Sequence, residues 1–433
     1  MKKSLHLFII LSLMFFLNVF INTPSSAKEK KTDKTKIEKT KNEPQKCNTS
    51  DCDEDCDDDE ELEEEEDSEK GNSSGSCIVD VSKKTNKDDE EDDDDDSEDE
   101  AKEIDIKNYD MFLDEVLSDG IYPSFILFAQ MNKELSEEPL IHFYIEDEKA
   151  HVKVTVEPNQ FMEQCISEHD MTEKDEQIYS PWIKWKRDAL LNADKPGFIN
   201  FSAVLEVNGV VKNRVNKTIT YRSVNEAFLG MTDDKGEYTD FSTLFSCYVN
   251  EDHPRIDKIL NEIIDKDKKA RKITFFGYQG ESDKDVLNQM EWIWNYFAAK
   301  GTRYSDITGS SNASEKIFAQ YVRFFEQVID NNQANCIDGT CMLASFYKRI
   351  GLDVSIILVP GHAFLAVNGQ ETNKKGEPKN TYYLETTMMG TKGISFNDAL
   401  KEAKREFKEA PEDETFVVNI NACRAAGIMP IGR

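Results

Sequence analysis

The sequence predicts an α+β protein, and three observations support this class. Short alternating or fully apolar runs dominate residues 105–235, which predicts a strand-rich, β-sandwich-like domain. From about residue 241 the apolar spacing becomes helical. Short runs rich in β-branched and aromatic residues return after residue 353. We therefore expect residues 240–433 to form a second domain that combines helices with a sheet.

The individual elements follow from the same patterns. The predicted helices cover 109–117, 255–264, 286–299, 315–329, 336–350 and 396–407. The predicted strands cover 124–129, 140–145, 151–156, 200–207, 218–222, 354–359, 363–367, 381–385 and 415–420. The pair Asn208-Gly209 predicts a tight hairpin turn after the strand at 200–207.

Residues 1–27 have the features of a signal peptide. Lys2 and Lys3 precede an apolar stretch that extends from Leu5 to about Ile21, and small residues stand at the cleavage positions before and at Ala27. We expect cleavage after Ala27 and an exported protein: periplasmic, cell-surface or secreted. The alternative is an uncleaved anchor, because about 17 apolar residues is near the lower limit for a membrane span. After cleavage we expect no stable transmembrane span.

Residues 28–104 are predicted to be a disordered, acidic, low-complexity region, because they hold too few large apolar residues to form a core. Two runs, 51–66 and 88–100, hold 25 acidic residues, and without them the formal charge of −32 becomes −7. The folded part therefore lacks the strongly basic face that a nucleic-acid partner requires. The acidic region itself is expected to bind cations weakly, to bind basic proteins, or to act only as a solvated tail.

The candidate chemistry lies at a cysteine that begins a predicted helix. Asn335 is a good N-cap and Gly351 a good residue just beyond the helix, so Cys336 falls in the first turn. The helix dipole and the backbone N–H groups there favour a thiolate. The odd total of nine cysteines agrees with one unpaired thiol. Cys341, about 140° away around the helix, is expected to be a buried apolar residue.

Two later residues complete a possible catalytic set. His362 begins a strand after Pro360-Gly361, and Glu385 lies at the end of the next predicted strand. If these strands are antiparallel neighbours, the carboxylate of Glu385 can fix the tautomer of the imidazole. A cysteine, a histidine and an acid are the parts of an activated thiol nucleophile. The alternative is a structural histidine on an apolar strand.

These residues occur in motifs that resemble the transglutaminase-like superfamily. The motifs are Cys336-Ile-Asp338 with Gly351-Leu352, Gly361-His-Ala-Phe364 and Leu384-Glu-Thr-Thr387. The likeness extends to Tyr248–Pro254, Gly277–Gln279, Arg303–Ser305 and Asn421–Pro430, which are similar to exported or surface bacterial proteins with this domain.

The resemblance implies a papain-like core over residues 240–433, in which the cysteine-headed helix packs on an antiparallel sheet. It implies a Cys336–His362–Glu385 triad and an acyl-enzyme that ends in amide hydrolysis or transamidation of a protein or peptide substrate. No cofactor and no metal ion are expected. Gln279, Tyr304 and Gln320 are candidates for oxyanion or packing roles. The alternative function is a non-catalytic exported binding or assembly module on the same fold.

Overall fold

The computed structural model describes residues 107–131, 140–147, 149–171, 177–179, 181–233, 236–266, 273–305 and 316–432. The predicted signal peptide and the whole of the predicted acidic region, residues 28–104, lie outside these residues. Within the described residues, helices combine with several antiparallel sheets, which confirms the α+β class.

The first part of the chain is rich in strands, as predicted. Its strands are β1 (Met111–Leu113), β2 (Ile141–Ile145), β3 (His151–Val156), β4 (Cys165–Asp170), β5 (Gln177–Tyr179), β6 (Gly197–Val207), β7 (Val210–Tyr221), β8 (Glu226–Thr232) and β9 (Tyr238–Asp240). Its short helices are α1 (Glu115–Ser118), α2 (Pro123–Ala129) and α3 (Arg187–Leu191). The order β1-β2-β5 forms one antiparallel sheet, and β4-β3-β6-β7 forms another.

The predicted hairpin turn is present between β6 and β7. Asn208 has φ 51° and Gly209 has φ 75°, which are the two left-handed residues that a type I′ turn requires. Val207 therefore pairs directly with Val210, and the two long strands pair from there to Gly197 and Tyr221, with one register shift between Leu205 and Glu206.

The second part of the chain holds most of the helices. These are a 3₁₀ helix (Ser242–Tyr248), α4 (Pro254–Lys266), α5 (Asp283–Lys300), α6 (Phe325–Asn331), α7 (Cys336–Arg349), α8 (Phe396–Glu409) and α9 (Ile420–Ala425). Its strands are β10 (Arg303–Tyr304), β11 (Ile317–Tyr321), β12 (Gln333–Ala334), β13 (Val354–Val359), β14 (His362–Asn368), β15 (Thr381–Leu384) and β16 (Phe416–Asn419). Strands β10 and β12 are parallel.

The sheet β15-β14-β13-β16 is antiparallel throughout and supports the candidate site. One of its faces packs on α8, where Phe364 and Ala366 of β14 meet Ala403. The intervening residues of β14 point to the opposite face and join the main core, which also contains Leu343 and Phe346 of α7. The sheet therefore lies between the cysteine-headed helix α7 and the surface helix α8.

Three predicted elements are wrong. Residues 111–113 of the predicted helix 109–117 form β1 instead, because they pair with β2. The predicted strand 124–129 is part of α2; a short, fully buried apolar run does not distinguish the two structures, and Pro123 at the first position favours a helix. The predicted helix 315–329 is divided into β11 and α6.

The two parts of the chain share a sheet. Strand β11, from the later part, pairs with β8, and β8 pairs with β9, so the order is β11-β8-β9. The predicted boundary between residues 235 and 240 falls between β8 and β9. One continuous hydrophobic core includes residues from Leu117 to Ile431. Among the described residues, each helix is too short or too polar to cross a membrane.

Candidate active site

The helix that begins at Cys336 is capped as predicted. The side-chain oxygen Oδ1 of Asn335 accepts a hydrogen bond from the backbone N–H of Asp338 at 2.9 Å. In return, Oδ2 of Asp338 accepts a bond from the backbone N–H of Asn335 at 3.0 Å. This reciprocal capping box fixes where α7 starts, and it places Cys336 in the first turn.

A buried ion pair holds the same helix end. The guanidinium of Arg323 donates to Oδ2 of Asp338 at 2.5 Å, and the backbone N–H of Arg323 donates to Oδ1 at 2.7 Å. Asp338 is fully buried and Arg323 is 8% exposed. The carboxylate therefore ties the first turn of α7 to the segment between β11 and α6, and the acid of the predicted cysteine-x-acid motif has a structural role.

The oxidation state of Cys336 differs from the expected free thiol. Cys336 is disulfide-bonded and fully buried. Cys165, Cys247, Cys341 and Cys423 are free and buried, so none of these four is its partner. As expected, Cys341 is a core residue, and burial raises the pKa of its thiol well above the usual value. A nucleophile at Cys336 therefore has to be released by reduction.

The structure brings His362 and Glu385 together. His362 is the first residue of β14 and pairs with Val359 across the turn at Pro360 and Gly361, where Gly361 has φ 71°. Glu385 directly follows β15, the neighbouring strand. Nε2 of the imidazole lies 2.6 Å from Oε2 of the carboxylate, which is the contact predicted from adjacent antiparallel strands.

The electrostatics of this pair favour the charged forms. Burial opposes protonation of His362, but the hydrogen bond and the charge of Glu385, together with the nearby Glu406 and Glu402, outweigh it and raise the His362 pKa. Burial also disfavours ionisation of Glu385, but the bonds from His362 and Thr387 outweigh it and lower the Glu385 pKa. An imidazolium is therefore stabilised at this position.

Threonines connect the pair to the helix of Cys336. Thr387 donates both its backbone N–H and its hydroxyl to Oε1 of Glu385, at 2.7 and 2.6 Å. The hydroxyl of Thr386 lies 3.2 Å from the carbonyl oxygen of Cys336 and donates to it. Thr340, one turn along α7, donates to the carbonyl of Ala363 at 3.4 Å. The residues next to Glu385 and His362 thus contact the first turn of α7.

Sequence analysis missed one member of the site. Glu406, on α8, places Oε2 3.3 Å from Nε2 of His362. The pKa of Glu406 is raised to about 7, mainly by burial; Glu385 and Glu402 contribute to the rise, whereas His362 and Arg405 oppose it. Helical spacing shows only that Glu406 belongs to an amphipathic surface helix, so no sequence signal identified it.

The three residues with predicted oxyanion or packing roles have different environments. Gln320 is fully buried in β11, and its Oε1 has no hydrogen-bond partner among the described residues. Tyr304 is 41% exposed, and Gln279 is exposed. Of the three, only Gln320 has the burial of a core residue.

Comparison with known proteins adds no relative. The chain matches no protein-family model, and the searches of curated proteins and of solved structures find no match either.

Proposed function

We propose that the reduced protein is an exported, cysteine-dependent acyl-transfer enzyme on a transglutaminase-like core, with Cys336, His362 and Glu385 as its catalytic residues. The observations that support this best are the 2.6 Å contact between His362 and Glu385 and the bond from Thr386, the residue after Glu385, to the carbonyl oxygen of Cys336 in the first turn of α7. A buried carboxylate that orients an imidazole near a helix-terminal cysteine suits nucleophilic catalysis. The substrate class is a protein or peptide amide.

In the proposed reaction, His362 takes the thiol proton on Nδ1, because Nε2 already faces Glu385. The Cys336 thiolate attacks the amide carbonyl, and N–H groups of the first turn stabilise the oxyanion. The tetrahedral intermediate collapses to a thioester when His362 gives its proton to the leaving amine. Water then yields a carboxylic acid, or a second amine yields a new amide, and the thiol is regenerated.

The second candidate is an exported, non-catalytic binding or assembly module on the same fold. The disulfide at Cys336 and the complete burial of this residue favour it, because neither is compatible with attack on a substrate. On this proposal, binding of basic proteins or cations is the task of the acidic region, through contacts that salt would weaken.

Labelling of cysteine with iodoacetamide distinguishes the two candidates. The protein is labelled from pH 5 to 9, with and without prior mild reduction, and the labelled peptides are identified by mass spectrometry. The enzyme proposal expects no labelling of Cys336 before reduction. After reduction it expects fast labelling at pH 6, slowed in His362→Ala, because the imidazolium lowers the thiol pKa.

Cys341 serves as the internal control, since a buried thiol with a raised pKa should remain unlabelled in the folded protein. Labelling of reduced Cys336 only above about pH 8, at the same rate in His362→Ala, is the behaviour of an ordinary thiol. That result would refute the enzyme proposal and support the binding module.

A further inference from the structure

The surroundings of His362 hold more acceptor groups than a catalytic triad requires. Nε2 of His362 lies 2.6 Å from Oε2 of Glu385 and 3.3 Å from Oε2 of Glu406, and each of the three residues offers one ligand atom within 4.8 Å of the other two. They come from three separate elements: the start of β14, the end of β15 and the helix α8. One nitrogen and two carboxylate oxygens therefore converge on one point on the α8 face of the sheet.

The carboxylates of Glu385 and Glu406 differ in their hydrogen bonds. Oε1 of Glu385 is held by Thr387, which leaves Oε2 directed at the imidazole. Oε2 of Glu406 is buried and has no hydrogen-bond partner among the described residues, although it lies 3.3 Å from Nε2 of His362. A buried carboxylate oxygen without a hydrogen-bond donor is costly to ionise, and a bound cation would compensate its charge.

The charge around this oxygen is also unbalanced. Glu402 lies one turn before Glu406 on α8, and its charge also acts on His362. Arg405 pairs with Glu409 and, at 2.5 Å, with Glu402, and it reaches Glu406 only at 3.8 Å. Among the described residues, one imidazole and one shared guanidinium therefore face the carboxylates of Glu385, Glu402 and Glu406, so the position favours a positive ion.

We propose that His362, Glu385 and Glu406 form a binding site for a transition-metal dication of the zinc type. The donor set of one imidazole and two carboxylates matches three-ligand zinc sites, which leave the fourth position to water. The imidazole disfavours calcium and magnesium, which prefer oxygen ligands.

The two distances from the imidazole to the carboxylates require only a small adjustment. Zinc–nitrogen and zinc–oxygen distances of about 2.0–2.2 Å separate tetrahedral ligands by roughly 3.3–3.5 Å. The distance from Nε2 to Glu406 is already 3.3 Å, and Glu385 has to retreat from 2.6 Å by less than about 1 Å. Thr387, which fixes the other oxygen of Glu385, orients this ligand from behind, as outer partners do in metal sites.

Metal binding excludes the role of His362 as a base. A dication takes the lone pair of Nε2, so the ring proton moves to Nδ1, the atom that would otherwise accept the proton of Cys336. The site follows from the geometry alone, but this inhibitory effect rests on the proposed acyl-transfer function. The cation would act as a reversible inhibitor of the thiol chemistry.

The test is a calorimetric titration of the chelator-treated, full-length protein with zinc chloride. The oxidised protein is used, because Cys336 is then disulfide-bonded and cannot be a ligand. Wild type is compared with Glu406→Gln and with the matched control Glu402→Gln. All three share the acidic residues and cysteines elsewhere in the chain, so a difference between them reports this site.

We expect one zinc site in the wild type that Glu406→Gln weakens at least about 10-fold and that Glu402→Gln changes less than about 3-fold. Cobalt(II) bound to the wild type should show the visible absorption of a four-coordinate site, and Glu406→Gln should lose it. His362→Gln is the second variant and should lose the same site, so the test remains decisive if Glu406→Gln fails to fold.

Equal zinc affinity of the wild type and either site variant would overturn the proposal. An equal loss in Glu402→Gln and Glu406→Gln would also overturn it, since that result indicates diffuse attraction by charge. Neither outcome bears on the cysteine labelling described above, which uses reduced protein without metal.

Discussion

The ion pair between Arg323 and Asp338 should contribute strongly to stability, and Asp338→Asn tests this. The substitution keeps the size of the side chain but removes its charge. It leaves the guanidinium of Arg323, which is 8% exposed, without its anion. The guanidinium then faces either the amide N–H₂ of the asparagine, which repels it, or the amide oxygen, which is a weaker acceptor than a carboxylate. The capping bond from the N–H of Asn335 to Oδ2 is weakened as well.

The magnitude follows from burial. Removal of one partner of a buried ion pair costs about 3–5 kcal/mol, because the remaining charge is left uncompensated. The matched control is Asp330→Asn, which breaks an ion pair of similar length, 2.6 Å from Arg255, whose side chains are 39% and 63% exposed. An exposed pair of this kind contributes less than about 1 kcal/mol.

The assay is equilibrium unfolding in urea of both variants and the wild type, all oxidised, followed by tryptophan fluorescence and by far-ultraviolet circular dichroism. With a slope of about 3 kcal/mol/M, the midpoint should fall by roughly 1 M or more in Asp338→Asn and hardly move in Asp330→Asn. A loss below about 1 kcal/mol at Asp338, or equal losses in the two variants, would refute the reasoning.

Two further predictions concern Glu385 and the segment between β15 and α8. Glu385→Gln removes a charge that raises the His362 pKa, so in reduced protein the onset of Cys336 alkylation should move to higher pH by about one unit. This is the small end of the range of pKa shifts caused by a neighbouring charge, because Glu406 remains near His362. An unchanged pH profile would show that the His362–Glu385 pair does not act on the thiol. Gly390 and Gly393 have nearly the same backbone angle, φ 82° and 84°, but a Cβ at Gly390 would clash with the backbone carbonyl of Thr302, whereas a Cβ at Gly393 would meet open space. Thermal melting should therefore show that Gly390→Ala destabilises the protein more than Gly393→Ala, by at least about 1 kcal/mol. Similar losses of stability in the two variants would contradict the described packing.

The start of the cysteine helix was predictable because its signals are local. Asn335 and Gly351 act within a few residues of the bonds that they make or permit, so the predicted helix 336–350 agrees with α7 to one residue. The contact between His362 and Glu385 was predictable for a related reason, since neighbouring antiparallel strands bring their ends together.

Long-range contacts explain what the sequence did not predict. Ile317 and Tyr321 belong to an apolar stripe with helical spacing, but pairing with β8, about ninety residues earlier, makes this segment a strand. Glu406 has the appearance of an ordinary charged residue on a surface helix, and only the packing of α8 on the sheet brings it to His362. The disulfide at Cys336 depends on which thiols meet in space, and cysteine spacing does not reveal this.

The sheet β11-β8-β9 limits where this chain can be truncated or joined to another protein. Strand β11 lies only a few residues before Arg323, the residue that anchors the first turn of α7, and its hydrogen-bonding partner is β8. A fragment that began at residue 240 would leave the edge of β11 open and the segment that positions Arg323 unsupported. The Cys336 helix and the strand-rich region before it therefore have to be transferred together, in a fusion protein or by recombination between genes.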